Sequence, residues 1–261
     1  MRKARESVMN SVKVRDLVIG EGKPKIIVPI AASARKEILD AAKGLDYDRI
    51  DAVEWRADWF DEVFDTDKVL DLLQELRAVL KNTPLLMTFR TQAEGGKKEI
   101  DKDTYIRLNL VAARSGLVDL VDAEIFTGDD AVRKIIDGAH EAGVKVIASS
   151  HDFDRTPSQS DLVGRMQKMQ DMNADILKIA VMPENKKDVL TLLAATEEMA
   201  SDFADRPLIT MSMGPMGVIS RLAGEVFGSS MTFGCVGKAS APGQIDAADL
   251  GIILDKISEV L

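Results

Sequence analysis

At 261 residues, 46% hydrophobic and 30% charged, the chain has ordinary globular composition and room for one large domain or two small ones. Its net charge of −9 argues against general nucleic-acid binding, which needs clustered Lys and Arg, although a few local arginines would still admit an anionic substrate. The single cysteine, Cys235, rules out an intramolecular disulfide framework, and two histidines, His140 and His151, leave a zinc site almost without ligands.

Met1 to Ser11 are largely polar and lack the apolar core of roughly 7–15 residues that a secretory signal needs. No apolar run reaches the roughly 18 residues of a membrane span, so a cytoplasmic protein with a short N-terminal extension (residues 1–11) is expected. Residues 12–23 carry a Gly20-Glu21-Gly22 turn and are expected to form a small hairpin. Mostly apolar runs then recur at Lys25–Ile30, Ala52–Arg56, Leu85–Phe89, Leu117–Glu124, Val144–Ser149, Ile176–Ala180, Pro207–Met211 and Met231–Val236. Near-continuous apolar stretches are the mark of parallel strands buried on both faces.

Helical periods lie between them. In Asp65–Leu80 the apolar residues Val69, Leu72, Leu73, Leu76, Val79 and Leu80 share one face, with Asp65 or Thr66 as the cap. Asp129 and Asp130 precede a helix ending near Gly143, Ser158 and Ser160 precede Leu162–Met172, and Asp246–Val260 closes the chain. Eight βα units without a composition break predict an α/β fold: a (β/α)8 TIM barrel in one domain over residues 1–261, its bottom closed by the hairpin. An open doubly wound sheet is the alternative, but no G-x-G-x-x-G follows the first strand.

In such barrels the βα loops at the strands' C-terminal ends build the active site. Lys178 is the sharpest feature there. Flanked by apolar residues on the sixth strand, it either pairs with a carboxylate for structure or serves as an amine whose pKa burial lowers, able to attack a carbonyl. His151 stands at the end of the fifth strand and suits proton transfer, or caps a loop. His140, near a helix C-terminus, reads as structural. Glu54 and Arg56 share a strand face and read either as an ion pair or as a pair for binding hydroxyls. Arg221 follows Met213-Gly214 into the seventh helix, where it could clamp a carboxylate, or is a surface arginine.

Taken together, Glu54-Trp55-Arg56-Ala57-Asp58, Phe89-Arg90-Thr91 with Glu94-Gly95-Gly96, Asp122-Ala123-Glu124, Ser149-Ser150-His151-Asp152-Phe153, Lys178-Ile179-Ala180, Met213-Gly214 through Arg221 and Ser240-Ala241-Pro242-Gly243-Gln244 resemble class I 3-dehydroquinate dehydratase. They stand in the right order over nearly the whole chain. The resemblance implies a lyase of the shikimate pathway (aromatic amino-acid biosynthesis) acting on 3-dehydroquinate, with Lys178 forming a Schiff base and His151 moving the proton. It further implies that Glu94 acts electrostatically beside them and that Arg221 holds the substrate carboxylate. Glu54, Arg56 and Arg90 would orient ring hydroxyls. Ser240 and Gln244 would close over the substrate from a loop hinged near Gly243, and Met211, Met213 and Phe233 would form apolar walls. It implies no metal, no organic cofactor and a homodimer.

Two rivals are weighed. Another Schiff-base barrel, such as a class I aldolase, shares the lysine; for phosphorylated sugars it wants a phosphate cradle, for which Thr210–Gly217 offers two glycines. A non-catalytic ligand-binding paralogue should have lost Lys178 or His151, and both are present.

Overall fold

The computed structural model describes residues 10–237 and 240–261. The expected extension therefore lies outside the described residues up to position 9, as do Lys238 and Ala239 after the last strand. Strands β1 (Val12–Val14) and β2 (Leu17–Ile19) pair antiparallel. This hairpin reverses at Arg15-Asp16, where Arg15 takes a φ of 54°, and not at Gly20-Glu21-Gly22, which leads into the next strand. The left-handed conformation costs a side-chain-bearing residue about 1–2 kcal/mol. Arg15 offsets it by donating to Asp119 at 2.6 Å, which ties the hairpin to the barrel.

Eight parallel strands follow: β3 (Lys25–Ile30), β4 (Ala52–Arg56), β5 (Leu85–Thr88), β6 (Leu120–Glu124), β7 (Lys145–Asp152), β8 (Ile176–Val181), β9 (Leu208–Ser212) and β10 (Met231–Phe233). From β3 to β9 each pairs with the next, and β10 returns to β3 with Phe233 opposite Ile27. The seam between β9 and β10 is thin. Among the described residues one bridge, Leu208 with Ser229, spans it, beside the Ser230 N–H that donates to the Leu208 carbonyl at 2.7 Å. This is the (β/α)8 barrel that the alternating pattern predicts.

Three strand boundaries depart from expectation by more than one residue. β6 starts at Leu120 and not Leu117, because Gly116 turns through a φ of 71° and the Asp119 carboxylate takes up Arg77 and the Leu85 N–H. β7 runs on to Asp152, its extra length matched by β8, so His151 lies within a strand. β10 stops at Phe233, short of Val236, since Cys235 leaves the sheet to bridge Asp246.

Helices α1 (Arg35–Lys43), α2 (Thr66–Leu80), α3 (Lys102–Arg114), α4 (Asp129–Glu141), α5 (Gln159–Asp171), α6 (Lys186–Glu198), the short α7 (Ile219–Leu222) and α8 (Gly224–Phe227), and α9 (Ala247–Ser258) surround the barrel. Asp65, not Thr66, caps α2, and Ser158 caps α5, which starts at Gln159. Asp246 caps α9. Each such cap is worth about 1 kcal/mol. His140 pairs with Asp175 at 2.7 Å, in keeping with a structural role. No described helix is long and apolar enough to cross a membrane.

Candidate active site

The strand period of two divides the barrel into layers. At the bottom the inward residues are apolar: Ile27, Ala52, Leu86, Leu120, Ile147, Ile176, Ile209 and Met231 pack together against Val12, Val14 and Ile19 of the hairpin. Outward residues such as Val53, Trp55, Val121, Ala148 and Ile179 belong to the core shared with the helices. Two residues further along, the inward positions of β4 to β8 turn polar, to Glu54, Thr88, Asp122, Ser149 and Lys178, while β9 and β10 keep the apolar Met211 and Phe233. Chemistry thus begins one layer above a sealed apolar floor.

Lys178 stands at the centre of that layer, 3% exposed. Its Nζ lies 3.9 Å from Glu54 Oε1 and 3.8 Å from Asp122 Oδ2, both beyond hydrogen-bonding reach, and 4.3 Å above the Phe233 ring. Burial lowers its pKa; Glu54 and Asp122 oppose that, and Arg90 and Arg56 reinforce it. Glu54 accepts from Thr88 Oγ1 at 2.8 Å. It does not pair with Arg56, whose guanidinium grips Asp58 in two bonds of 2.8 and 2.9 Å.

On the neighbouring strand, Ser149 is opposite Lys178 and His151 opposite Ala180, so His151 lies one inward step above the lysine. Its Nδ1 is 2.9 Å from Glu94 Oε2, and its backbone N–H donates to the same oxygen at 2.9 Å. Burial drives the imidazole pKa well down, with the cations Arg90, Lys178 and Arg56 adding to the effect. Burial also pushes the Glu94 carboxyl up to about 8. Arg90 turns its guanidinium under the cavity, to Asp122 at 2.9 Å and Glu124 at 2.8 Å, with Glu94 at 3.6 Å.

Arg221, on α7, is 1% exposed and finds no carboxylate within ion-pair distance among the described residues. Its contacts are the Pro242 carbonyl at 3.1 Å and the Met211 sulfur at 3.7 Å, while its Nε has no partner. Burial lowers its pKa to about 10, which leaves it charged at neutral pH. A buried guanidinium without a counter-charge is costly, and its fork can accept an anion bidentately. With four residues α7 is too short for its N-terminus to count as an anion seat. Opposite, Gln244 Oε1 accepts from the Ser240 and Ala241 N–H groups at 2.8 and 3.3 Å, folding that loop on itself. Gly243, at φ 77°, sits so close to Gly214 that a Cβ would meet its carbonyl at 2.4 Å.

One cavity of about 600 Å³, open to solvent, takes in Lys178, His151 and Glu94, the binding candidates Glu54, Arg56, Arg90, Arg221, Ser240 and Gln244, and the walls Met211, Met213 and Phe233. Gly95, Phe153, Ala180 and Ala241 also line it. Asp122, Ser149 and Thr88 support it from beneath and were not singled out as site residues by sequence reasoning. The signal was available: each lies an even number of residues from a polar inward position, at 122/124, 149/151 and 88/90.

A model of the type I 3-dehydroquinase family matches residues 26–260. The chain is 52% identical over 246 residues to a 3-dehydroquinate dehydratase of Salmonella agona (strain SL483), covering 94% of this chain and 98% of the relative. It is 50% identical over 244 residues to one of Clostridioides difficile (strain 630), covering 94% and 96%. Among solved structures, a type I 3-dehydroquinate dehydratase from Clostridium difficile with covalently modified comenic acid matches with a TM-score of 0.95 at 48% identity, over 97% of this chain and 100% of that one.

Proposed function

The chain belongs to the type I 3-dehydroquinase family, so its reaction is the loss of water from 3-dehydroquinate to give 3-dehydroshikimate, and we propose that it runs through an imine between Lys178 and the substrate's C3 ketone. The observation that carries this reading is the Lys178 amine. It is buried beneath a cavity, lowered in pKa, out of hydrogen-bonding reach of its carboxylates, and one strand from the His151–Glu94 pair.

The unprotonated Nζ adds to C3, and the carbonyl oxygen leaves as water, giving a protonated imine that serves as an electron sink. His151 takes a proton from C2, and the C2–H electrons flow into the imine to make an enamine. The enamine expels the C1 hydroxyl, which leaves as water carrying the proton that His151 returns. Hydrolysis then consumes the first water, frees 3-dehydroshikimate and restores Lys178, so one water is lost overall. Glu94 holds the imidazole by Nδ1, which supports its turning Nε2 to the substrate. The uncompensated Arg221 supports a seat for the substrate carboxylate, and the polar atoms of Glu54, Arg56, Ser240 and Gln244 support contacts to ring hydroxyls.

The aldolase rival loses its support. The family model over residues 26–260 and the relatives at 50–52% identity are 3-dehydroquinases, not aldolases. The family resemblance further supports a cytoplasmic homodimer, which sedimentation would read as twice the 28.5 kDa chain. The mechanism is tested by borohydride reduction with substrate, which should add mass at Lys178. Lys178→Ala should neither label nor turn over; labelling and wild-type turnover in that variant would refute the imine. His151→Ala should still trap the imine while losing about 10²–10⁴-fold in rate.

A further inference from the structure

Lys178 has a carboxylate neighbour outside the cavity lining. Asp122 on β6 is fully buried below the cavity, its Oδ2 3.8 Å from Nζ. The Ser149 hydroxyl donates to Oδ1 at 2.7 Å, and the Arg90 guanidinium stands 2.9 Å from Oδ2 as an ion pair, while Oδ2 accepts no hydrogen bond among the described residues. Arg90 also donates to Ser149 at 3.0 Å, so the three side chains close a ring beneath the lysine.

The charges around Nζ do not balance. Arg56 is spent on Asp58, which leaves Arg90 to face Asp122 and Glu124, with Glu54 a further carboxylate near Nζ. With a neutral amine this buried cluster is short of positive charge, and a protonated imine at Nζ supplies it. In so dry a place a new cation needs a fixed counter-charge or it will not form. Asp122 meets the requirement in a way that Glu54 does not. Both carboxylates stand off the amine, at 3.8 and 3.9 Å, and attract the charge without accepting its hydrogen, but Asp122 alone of the two lies outside the cavity lining that the substrate would share.

We infer that Asp122 is the counter-ion of the Lys178 imine, a positioning residue that acts through the lysine nitrogen. This rests on the imine reading above. The charged and titratable groups that face Nζ are Glu54 from β4, Arg90 after β5, Asp122 from β6 and His151 from β7, with Arg56 acting at longer range. Of these, Asp122 alone combines full burial with a place outside the cavity wall.

Asp122→Asn in the full chain removes the charge and keeps the shape. The kcat should fall about 10²-fold, as when one preorganised electrostatic group is lost, with little change in KM. Less imine should be trapped at saturating substrate. The acid limb of kcat/KM should also move to lower pH, because the carboxylate favouring a cation at Nζ is gone. A purely structural loss would lower kcat and leave the limb in place. An unmoved limb, or a wild-type kcat, overturns the counter-ion while trapping at Lys178 in the wild type leaves the imine standing; absence of that wild-type trapping overturns both. If Asp122→Asn does not fold, Ser149→Ala reads the same pair. Stripped of one donor, the carboxylate should pull the acid limb to higher pH, and an unmoved limb there overturns the assignment.

Discussion

Glu94 binds a proton in the folded chain that the unfolded chain gives up. Its carboxyl, ordinarily near 4.5, is pushed up to about 8 by burial. The folded state therefore gains stability that is fully present below about pH 4.5 and is lost as pH rises through about 8. Glu94→Gln is uncharged throughout, so the fall in its urea midpoint between about pH 5 and 9 should be shallower than in the wild type. Parallel midpoints in the two proteins would mean that Glu94 is not the group responsible. Single residues were unevenly legible. Lys178 stands out in sequence, because a charge inside the apolar Ile176–Val181 must either pair with a carboxylate or do chemistry. The direction in which Arg90 points is not written in its neighbours. Its guanidinium is claimed by Asp122 and Glu124, 32 and 34 positions away, and only the closed barrel brings them together. The partner of Arg56 was nearer at hand, in Asp58.

At the scale of elements, caps such as Asp65 and Ser158 were readable because they act locally, each accepting from backbone N–H groups within three residues, whereas Asp246, expected as the first residue of the last helix, is its cap. The seventh helix was not. Sequence suggests one helix through Arg221, whereas the chain breaks into α7 and α8 at Ala223. The reason is tertiary: Gly224 packs where a Cβ would come within 2.9 Å of the Ser229 carbonyl. The loop from Ser240 to Gln244 is likewise set by a distant contact, the seating of Gly243 on Gly214. Gly243→Ala combines that clash with a left-handed φ of 77°, a strain of about 1–3 kcal/mol. Since Pro242 carries the carbonyl that Arg221 grips, the variant should raise KM about tenfold or more, and the strain should also lower the unfolding midpoint. A KM equal to wild type would mean that the loop's seat does not matter to binding.

For the molecule as a whole, the barrel was legible because strands buried on both faces must be apolar for most of their length, whatever their chemistry at the tip. What no local pattern announces is how the ring shuts. The thin β9–β10 seam, bridged at Leu208–Ser229, runs up to the cavity, with Met211 on β9 and Arg221 beyond it on one side and Phe233 on β10 and the Ser240–Gln244 loop beyond it on the other. Local opening follows the fewest hydrogen bonds, so in deuterium exchange the amides of β9 and β10 should lose protection before those of β6 to β8. Any molecule that holds Arg221 and the loop at once spans the gap and binds only the shut form. Substrate would then act as a rivet across the barrel's one weak stave, and its arrival should slow exchange at the seam more than anywhere else in the ring.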